Sequence, residues 1–413
     1  MVETTLGQVM MAKQGRLVQL VKLGNKKIVP THKAVPKSRW QMHFKSSPLK
    51  LSKNHPKPTV FVAMSGGVDS SVTAYLLQKQ GYQIVGVFMK NWSFNVKNIK
   101  DCPLYLDYLD MVKVCKFLKI PYLVFSFEEE YRKRVIDDFF QGYKEGITPN
   151  PDVLCNREIK FDLFLKKALK MGADLMATGH HIRSRCGKNG CNLLRGKDPI
   201  KDQTYFVYPL TEAQLKKNLF PIGEYLKADI RKIAKEAKLP TAAKRDSQGI
   251  CFIGRIDAKD FLKTKLAQKK GDIVDKNGKK LGEHEGAWFY TIGQRRIAGL
   301  AGTSKPLYVL ATDVKKNLVI VGDDKDTYSK FARVKTLHII NPKSYPKSKL
   351  IGHKFLAKSR YTPTLSRGIL KQDKKGYYFE FSQPERAVTP GQSLVLFDKD
   401  ICVGGGIIKS DKL

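Results

Sequence analysis

The sequence predicts an α/β domain built on a parallel sheet, followed by two small β-rich domains, the last of them barrel-like. Three observations predict it. Between Thr59 and about residue 257, short apolar runs of strand length alternate with apolar residues at helical spacing. Beyond about residue 258 the alternation stops, and strand-sized pieces separated by Lys-Asn-Gly and similar turns take its place. A second set of such pieces fills roughly the last eighty residues, enough for a small barrel.

In chain order, residues 1–56 form a basic extension: positions 1 to 58 hold twelve Lys or Arg and one acid, Glu3. That composition is foreign to a packed domain and reads as a flexible arm. A mitochondrial presequence is also basic and acid-poor, but Arg16 and Arg39 are the only arginines here, and Pro30, Pro36 and Pro48 interrupt any helix. A start at Met42 fits as well. No motif precedes Thr59, so removing residues 1–56 should spare catalysis.

The α/β domain, residues 57–257, opens with TVFVAM as a strand, closed by Ser-Gly-Gly and followed by a helix bearing Val72, Tyr75, Leu76 and Leu77. QIVGVFM (83–89), PYLVFSF (121–127) and ADLMATG (173–179) are further strands; 105–118, 128–143 and 161–171 read as helices. Residues 258–330 hold the strand-like pieces DIVD, AWFYTI, LYVLATD and LVIVGD. Residues 331–413 hold HKFLAKSRY, GYYFEFS, QSLVLFD and CVGGGII.

With 413 residues, 42% of them hydrophobic, the chain has ample material for two or three cores. Lys and Arg number 75 against 38 Asp and Glu, and the formal charge of +37 is spread along the chain, which points to a polyanionic partner. No uninterrupted apolar run approaches the roughly 18 residues of a spanning helix, so a membrane is not expected as a partner. The seven cysteines (Cys102, Cys115, Cys155, Cys186, Cys191, Cys251 and Cys402) are odd in number and scattered, as reduced thiols of the cytoplasm would be. The mitochondrial matrix is the alternative if residues 1–56 are a presequence. No CxxC occurs, so an iron–sulfur cluster is not expected, and a cysteine that matters should be a nucleophile.

The strongest local signal is Ser65-Gly66-Gly67-Val68-Asp69-Ser70-Ser71, where a buried strand gives way to a helix. Glycines let the backbone approach an anion, and serine hydroxyls and the helix N-terminus offer donors and positive dipole to phosphate oxygens. A Walker-type GxxxxGK[ST] is absent from the chain. Two further segments stand out: Thr148-Pro149-Asn150-Pro151-Asp152-Val153-Leu154-Cys155-Asn156 and Asp246-Ser247-Gln248-Gly249-Ile250-Cys251-Phe252-Ile253-Gly254.

The loop resembles that of the pyrophosphate-loop ATPases, which cleave ATP between the α- and β-phosphates to adenylate a substrate. With FMKNW (88–92), ATGHH (177–181), RGKDPIKDQTYF (195–206) and PGQ (390–392), the chain from about Thr59 onward resembles the tRNA-specific 2-thiouridylases. The resemblance implies an ATP-dependent tRNA sulfurtransferase that forms 2-thiouridine at the wobble position. Its partners would be tRNA, ATP with Mg²⁺, and a persulfide donor, either a cysteine desulfurase or a sulfur-relay protein. Ala63, Met64, Ser65, Gly66, Gly67, Val68, Asp69 and Ser70 would hold ATP, with Met89 and Gly179 at the adenine and ribose. No metal ligand is firmly assigned; Asp69 would help position the Mg²⁺ that accompanies the phosphates.

The chemistry asks for the same parts. A carbonyl oxygen is a poor leaving group until AMP is transferred to it. Sulfur then arrives from a cysteine persulfide, and a second thiolate splits the S–S bond. Cys155 and Cys251 are the plausible pair, each read as lying in a loop rich in Gly, Pro and Asn, with Arg157, Lys244 and Arg245 near enough in sequence to favour thiolates. By resemblance Cys251 carries the persulfide and Cys155 resolves the transfer. Asp152, Asn150 and Pro151 would meet the target base, and His180, Lys201, Asp202, Gln203, Arg360, Tyr361 and Gln392 would contact the base or the tRNA. Asp152 also has a plainer role as a turn carboxylate, and His180 as a satisfied strand-end histidine.

Cys102, Cys115 and Cys402 read as structural. Cys186 and Cys191 flank a hairpin-like Gly-Lys-Asn-Gly turn that could bring them together across strands; a local disulfide or metal clip is the alternative, and free thiols are favoured in a reducing compartment. His181, where the family more often has tyrosine, and the glycine-poor Gln294-Arg295-Arg296-Ile297-Ala298-Gly299 depart from the family pattern. Two other readings compete. One is a different pyrophosphate-loop enzyme, an amidating ligase or an iron–sulfur tRNA thiolase; a ligase needs no cysteine pair and a cluster enzyme needs more clustered cysteines. The other is a basic RNA-binding module on an inactive nucleotide fold, against which the three intact motifs count.

Overall fold

The computed structural model describes residues 44–49, 51–52, 55–92, 102–246, 258–300 and 305–410, with the backbone of strands at 8–13, 16–23, 27–32 and 95–96. The chain forms two compact units. Residues 1–133, 158–181 and 217–264 make the first, and 134–157, 182–216 and 265–413 the second, so the stretch 57–257 contributes to both.

The first unit is built on a five-stranded parallel sheet in the order Asn218–Leu219, Leu175–Thr178, Thr59–Ala63, Gln83–Lys90, Tyr122–Ser126. Thr59–Ala63 is buried at every position, as a central parallel strand covered on both faces must be. Val60, Val62, Met64, Val72, Leu77, Ile84, Phe88, Met111 and Val114 join one core with Ile222, Ile230 and Ala234. The chain runs from Thr59–Ala63 outward to Tyr122–Ser126, then returns to place Leu175–Thr178 on the other side of the first strand. Strand order therefore reverses between these two neighbours, and loops at their carboxyl ends border the crevice where such sheets bind ligands.

Two expectations are corrected. The helix read over 161–171 begins much earlier, as Pro151–Leu154, continuing as a π-helical stretch over Cys155–Phe164 and ending as Leu165–Lys170. Cys155 therefore lies in a helix, not a loop. Asn150 is an N-cap whose side chain accepts from the Asp152 and Val153 N–H groups, and Pro151 sits at the first helical position, so Pro and Asn here start a helix. The second correction concerns the arm. Three of its segments, Gln8–Lys13, Arg16–Leu23 and Lys27–His32, pair antiparallel in one sheet with Asn95–Val96. Its end is docked on the first unit: the Ser47 N–H donates to Tyr122 O (2.8 Å), and the hydroxyls of Ser47 and Ser46 accept from Tyr122 N (2.7 Å) and Val124 N (2.9 Å). Phe44 packs among Phe88, Tyr105 and Tyr108. The free edge of a parallel sheet has unpaired backbone groups, and this segment satisfies those of Tyr122 and the N–H of Val124.

The second unit carries two sheets and the hairpin Ile182–Gly187/Gly190–Arg195. One sheet runs Lys280–His284, Gly271–Val274, Leu318–Gly322, Tyr308–Asp313, with its middle pair parallel. The other runs Tyr328–Val334, Gly376–Arg386, Ser366–Asp373, Lys354–Lys358, Ser393–Asp398, Ile401–Ile407 and then the hairpin. A bridge between Val334 and Ile408 brings its first strand back to the end of Ile401–Ile407, giving the expected barrel-like closure over Phe355, Leu370, Phe379, Leu394 and Leu396. AWFYTI is not a strand: Ala287–Phe289 is a 3₁₀ turn, and the Ala287 N–H is taken by the Asn317 side chain (3.0 Å). Cys186 and Cys191 are direct cross-strand partners with Cα atoms 4.0 Å apart, and they form a disulfide rather than the expected free thiols. Cys115 and Cys402 are buried, and burial pushes the Cys115 thiol up to about 12.

Candidate active site

The phosphate loop follows Thr59–Ala63 in the first unit. Gly66 has φ +73°, and a Cβ there would lie 2.1 Å from Asp107 O, so both the turn and the close approach require glycine. Gly67 is the N-cap of helix Val68–Lys79 and contributes no side-chain cap, which leaves the helix N-terminus open to an anion. The Ser70 hydroxyl accepts from the Ser65 N–H (3.2 Å) and donates to Gly67 O, and Ser71 also donates to Gly67 O (2.8 Å), so the serines brace the loop. Ser65 is exposed, while Ala63, Met64, Gly66, Val68 and Ser70 are buried.

Ala63 pairs with Thr178, so the loop after Leu175–Thr178 leaves the sheet beside the phosphate loop. A Cβ on Gly179 would meet Ser70 N at 2.8 Å, which places this glycine against the first turn of the loop helix. Met89 is half-buried near the end of Gln83–Lys90. His180 is buried, shares a 2.8 Å hydrogen bond with Thr178 Oγ1 and packs near Phe161. Burial, with Lys160 and His181 nearby, holds its imidazole well below the usual range, so it is neutral; this is the satisfied strand-end geometry.

Asp69 is engaged rather than free. Its Oδ1 lies 2.6 Å from Lys227 Nζ and 3.5 Å from His181 Nε2. Burial alone would raise its carboxyl, but His181 and Lys227 outweigh that and keep it below the ordinary carboxylate value. Lys244, expected to favour a thiolate, is bound 2.7 Å from both Asp107 and Asp110. Cys251 lies outside the described residues.

The second unit gathers the other motifs. The Thr148 N–H donates to Pro390 O (2.9 Å), and Gln392 Nε2 donates to Thr148 O (2.9 Å), which joins the TPNPD segment to PGQ. Tyr205 donates to Gln392 Oε1 (3.2 Å) and accepts from the Ser393 N–H (3.1 Å); burial pushes its phenol up, so it remains protonated. Asp152 and Cys155, three apart on a helical turn, share a face. Cys155 is 2% exposed, and the side chain of Asn156, beside it, donates to Phe206 O (3.1 Å). Tyr361, 44% exposed, packs on Phe206 with ring centroids 4.5 Å apart. Arg360 reaches Glu385 at 4.0 Å, and Lys201 and Gln203 are half-buried. Asp202 is placed differently from the base-contact reading: with Lys358 it forms a buried ion pair (3.0 Å) that Arg195 joins at 3.1 Å, so it anchors its loop internally.

Family models match nearly the whole α/β and β-rich part of the chain: "tRNA methyl transferase HUP domain" over 58–255, "tRNA methyl transferase PRC-barrel domain" over 259–323, and "Aminomethyltransferase beta-barrel domain" over 332–408. The tRNA-specific 2-thiouridylase MnmA of Staphylococcus epidermidis is 44% identical over 354 residues, 84% of this chain and 94% of that protein. The chain belongs to the tRNA-specific 2-thiouridylase family. The protein of the same name from Pseudomonas aeruginosa is 43% identical over 370 residues, 87% of this chain and 97% of its own. A crystal structure of a 4-thiouridine synthetase–RNA complex with bound ATP aligns over 48% of this chain and 45% of its own at 17% identity, with a TM-score of 0.30, too slight a likeness to argue from. The fold class read from the sequence, an α/β pyrophosphate-loop domain followed by two β-rich domains, is that of the family.

Sequence reasoning passed over Lys227 and Tyr205 as individual residues. Lys227 had a signal: it is a base in the first turn of a helix, where the dipole favours acids. Tyr205 lies inside the quoted RGKDPIKDQTYF run, but two of its hydrogen bonds are to residues 187 and 188 positions away, beyond any local pattern.

Proposed function

We propose that this enzyme adenylates the 2-carbonyl oxygen of the wobble uridine in tRNA and replaces that oxygen with sulfur from a cysteine persulfide, forming 2-thiouridine. That the chain is an enzyme of tRNA thiolation follows from its family; the proposal concerns the steps and the residues. The observation that supports it best is the uncapped glycine loop at the reversal of strand order in a parallel sheet. Such a loop suits a nucleotide phosphate.

Ser65 to Ser70 bind the phosphates, and Mg²⁺ travels with them. The base oxygen attacks the α-phosphorus and pyrophosphate leaves. The terminal sulfur of the Cys251 persulfide attacks C2, and AMP departs with the original oxygen. The Cys155 thiolate then attacks the Cys251 sulfur, which leaves the transferred sulfur on the base and joins the two cysteines in a disulfide that a small cellular thiol reduces. Asn150, Asp152, Tyr361 and Gln392 position the base, which must be unstacked to react, and the basic surface holds the tRNA backbone. A cysteine desulfurase or relay protein recharges Cys251.

The test is nucleoside mass spectrometry of tRNA incubated with the enzyme, ATP, Mg²⁺ and a persulfide donor. 2-Thiouridine should form with AMP and pyrophosphate in step. Cys251→Ser should accept no sulfur at that position, and Cys155→Ser should accept it and stall. Labelled sulfur reaching tRNA in either variant would sink the paired-cysteine scheme.

A further inference from the structure

Beside the phosphate loop, two carboxylates share one ammonium. Lys227 Nζ lies 2.6 Å from Asp69 Oδ1 and 2.9 Å from Asp246 Oδ1. Asp69 also faces His181, and Asp246 also pairs with Arg231. Arg231 is divided among several acceptors, since it donates to Ala242 O (3.2 Å) and to Lys244 O as well. The chain reaching Asp246 is fastened to the loop helix a second time by the Thr241 hydroxyl, which donates to Ser71 Oγ (2.9 Å).

The placement of Lys227 costs the protein something. It opens helix Lys227–Glu236, the end that repels a cation, and its side chain is only 13% exposed. Helix stability does not account for a base held there. The loop does, because a triphosphate entering it meets Asp69 in the first turn of Val68–Lys79 with Asp246 held on the same ammonium. Without Lys227 these like charges would oppose the incoming phosphates in a partly desolvated site.

We propose that Lys227 is a positioning residue for ATP, whose ammonium cancels the Asp69 and Asp246 charges and keeps the phosphate loop receptive. The proposal rests on the adenylation reading above. It makes the lysine's role electrostatic and transferable: the lost cation is replaceable by removing one of the anions it cancels.

The experiment uses the full-length enzyme with tRNA, following AMP formation as ATP with Mg²⁺ is varied. Lys227→Met should raise the KM for ATP about tenfold or more, with tRNA affinity unchanged. The double variant Lys227→Met/Asp246→Asn should return the KM to within about threefold of the parent, which a merely damaged fold would not do. Should the methionine variant fail to fold, Lys227→Gln with and without Asp246→Asn makes the same comparison. A KM unmoved by Lys227→Met, or a double variant as impaired as the single one, overturns the proposal while leaving adenylation standing. A parent enzyme that forms no AMP overturns both.

Discussion

Replacing Gly391 by alanine tests the seam that joins the TPNPD segment to the barrel. Gly391 has φ +91°, and a Cβ there would stand 2.7, 2.8 and 2.9 Å from Thr148 O, C and N. Left-handed backbone costs an alanine about 1–2 kcal/mol, and forcing a methyl into a packed site adds about 1–3 kcal/mol. The variant should therefore lose about 2–5 kcal/mol if Thr148 stays in place. Because the neighbours are backbone atoms, relief requires Thr148 itself to retreat, which breaks its hydrogen bonds with Pro390 and Gln392 and shifts the helix start at Asn150. Asn150 and Asp152 are the residues proposed to meet the base, and a displacement on the order of 1 Å at reacting groups is worth about 100-fold in rate. Urea unfolding should show a lower midpoint with unchanged slope, and the nucleoside assay a thiolation rate down by about that factor. Parental stability together with parental turnover would refute the reasoning. Lost stability with full turnover would show that the seam serves the barrel alone.

Two further outcomes follow from the geometry. Lys358→Met removes one of the two cations that pair with the Asp202 carboxylate in a site where both Lys358 and Asp202 are 0% exposed, so stability should fall by about 3–5 kcal/mol and recover in part with Asp202→Asn. Burial raises the Asp202 carboxyl, but Lys358 and Thr204 outweigh it and lower it beneath 3.8. Its contribution is thus complete above that pH and lost as pH falls through the lower folded value. An acid titration in which parent and Asp202→Asn lose equal stability below about pH 4 would contradict this. Deleting residues 1–49 should lower the thermal midpoint by about 5 °C or more below that of the 1–43 deletion, because Phe44, Ser46 and Ser47 go with it. Equal midpoints for the two truncations would show that the docking contributes nothing.

The sheet was legible because Thr59–Ala63 and its neighbours carry continuous apolar runs, which only a strand covered on both faces tolerates. The phosphate loop was legible because glycine and serine at a strand-to-helix turn have few other uses. Cys155 was misread because Asn and Pro signal both a turn and a helix start, and the choice depends on whether Asn150 caps the following N–H groups. The hairpin at Cys186 and Cys191 was visible in its turn residues, and compartment favoured free thiols over the local disulfide that the cross-strand geometry forms. Lys227 was one base among 75 in sequence, and its partner Asp69 is 158 positions away. Phe44 to Ser47 carry no periodicity, because serines that cover a strand edge act through hydroxyls and backbone.

The segment at 46–47 also bears on the order in which the protein is made. Synthesis runs from the N-terminus, so Ser46 and Ser47 have left the ribosome long before Tyr122–Ser126, the strand they cover, is translated. An uncovered strand edge on a half-built sheet invites pairing with another nascent chain. Here the cover already exists on the same molecule when the edge first appears, at an effective concentration that no neighbouring polypeptide matches.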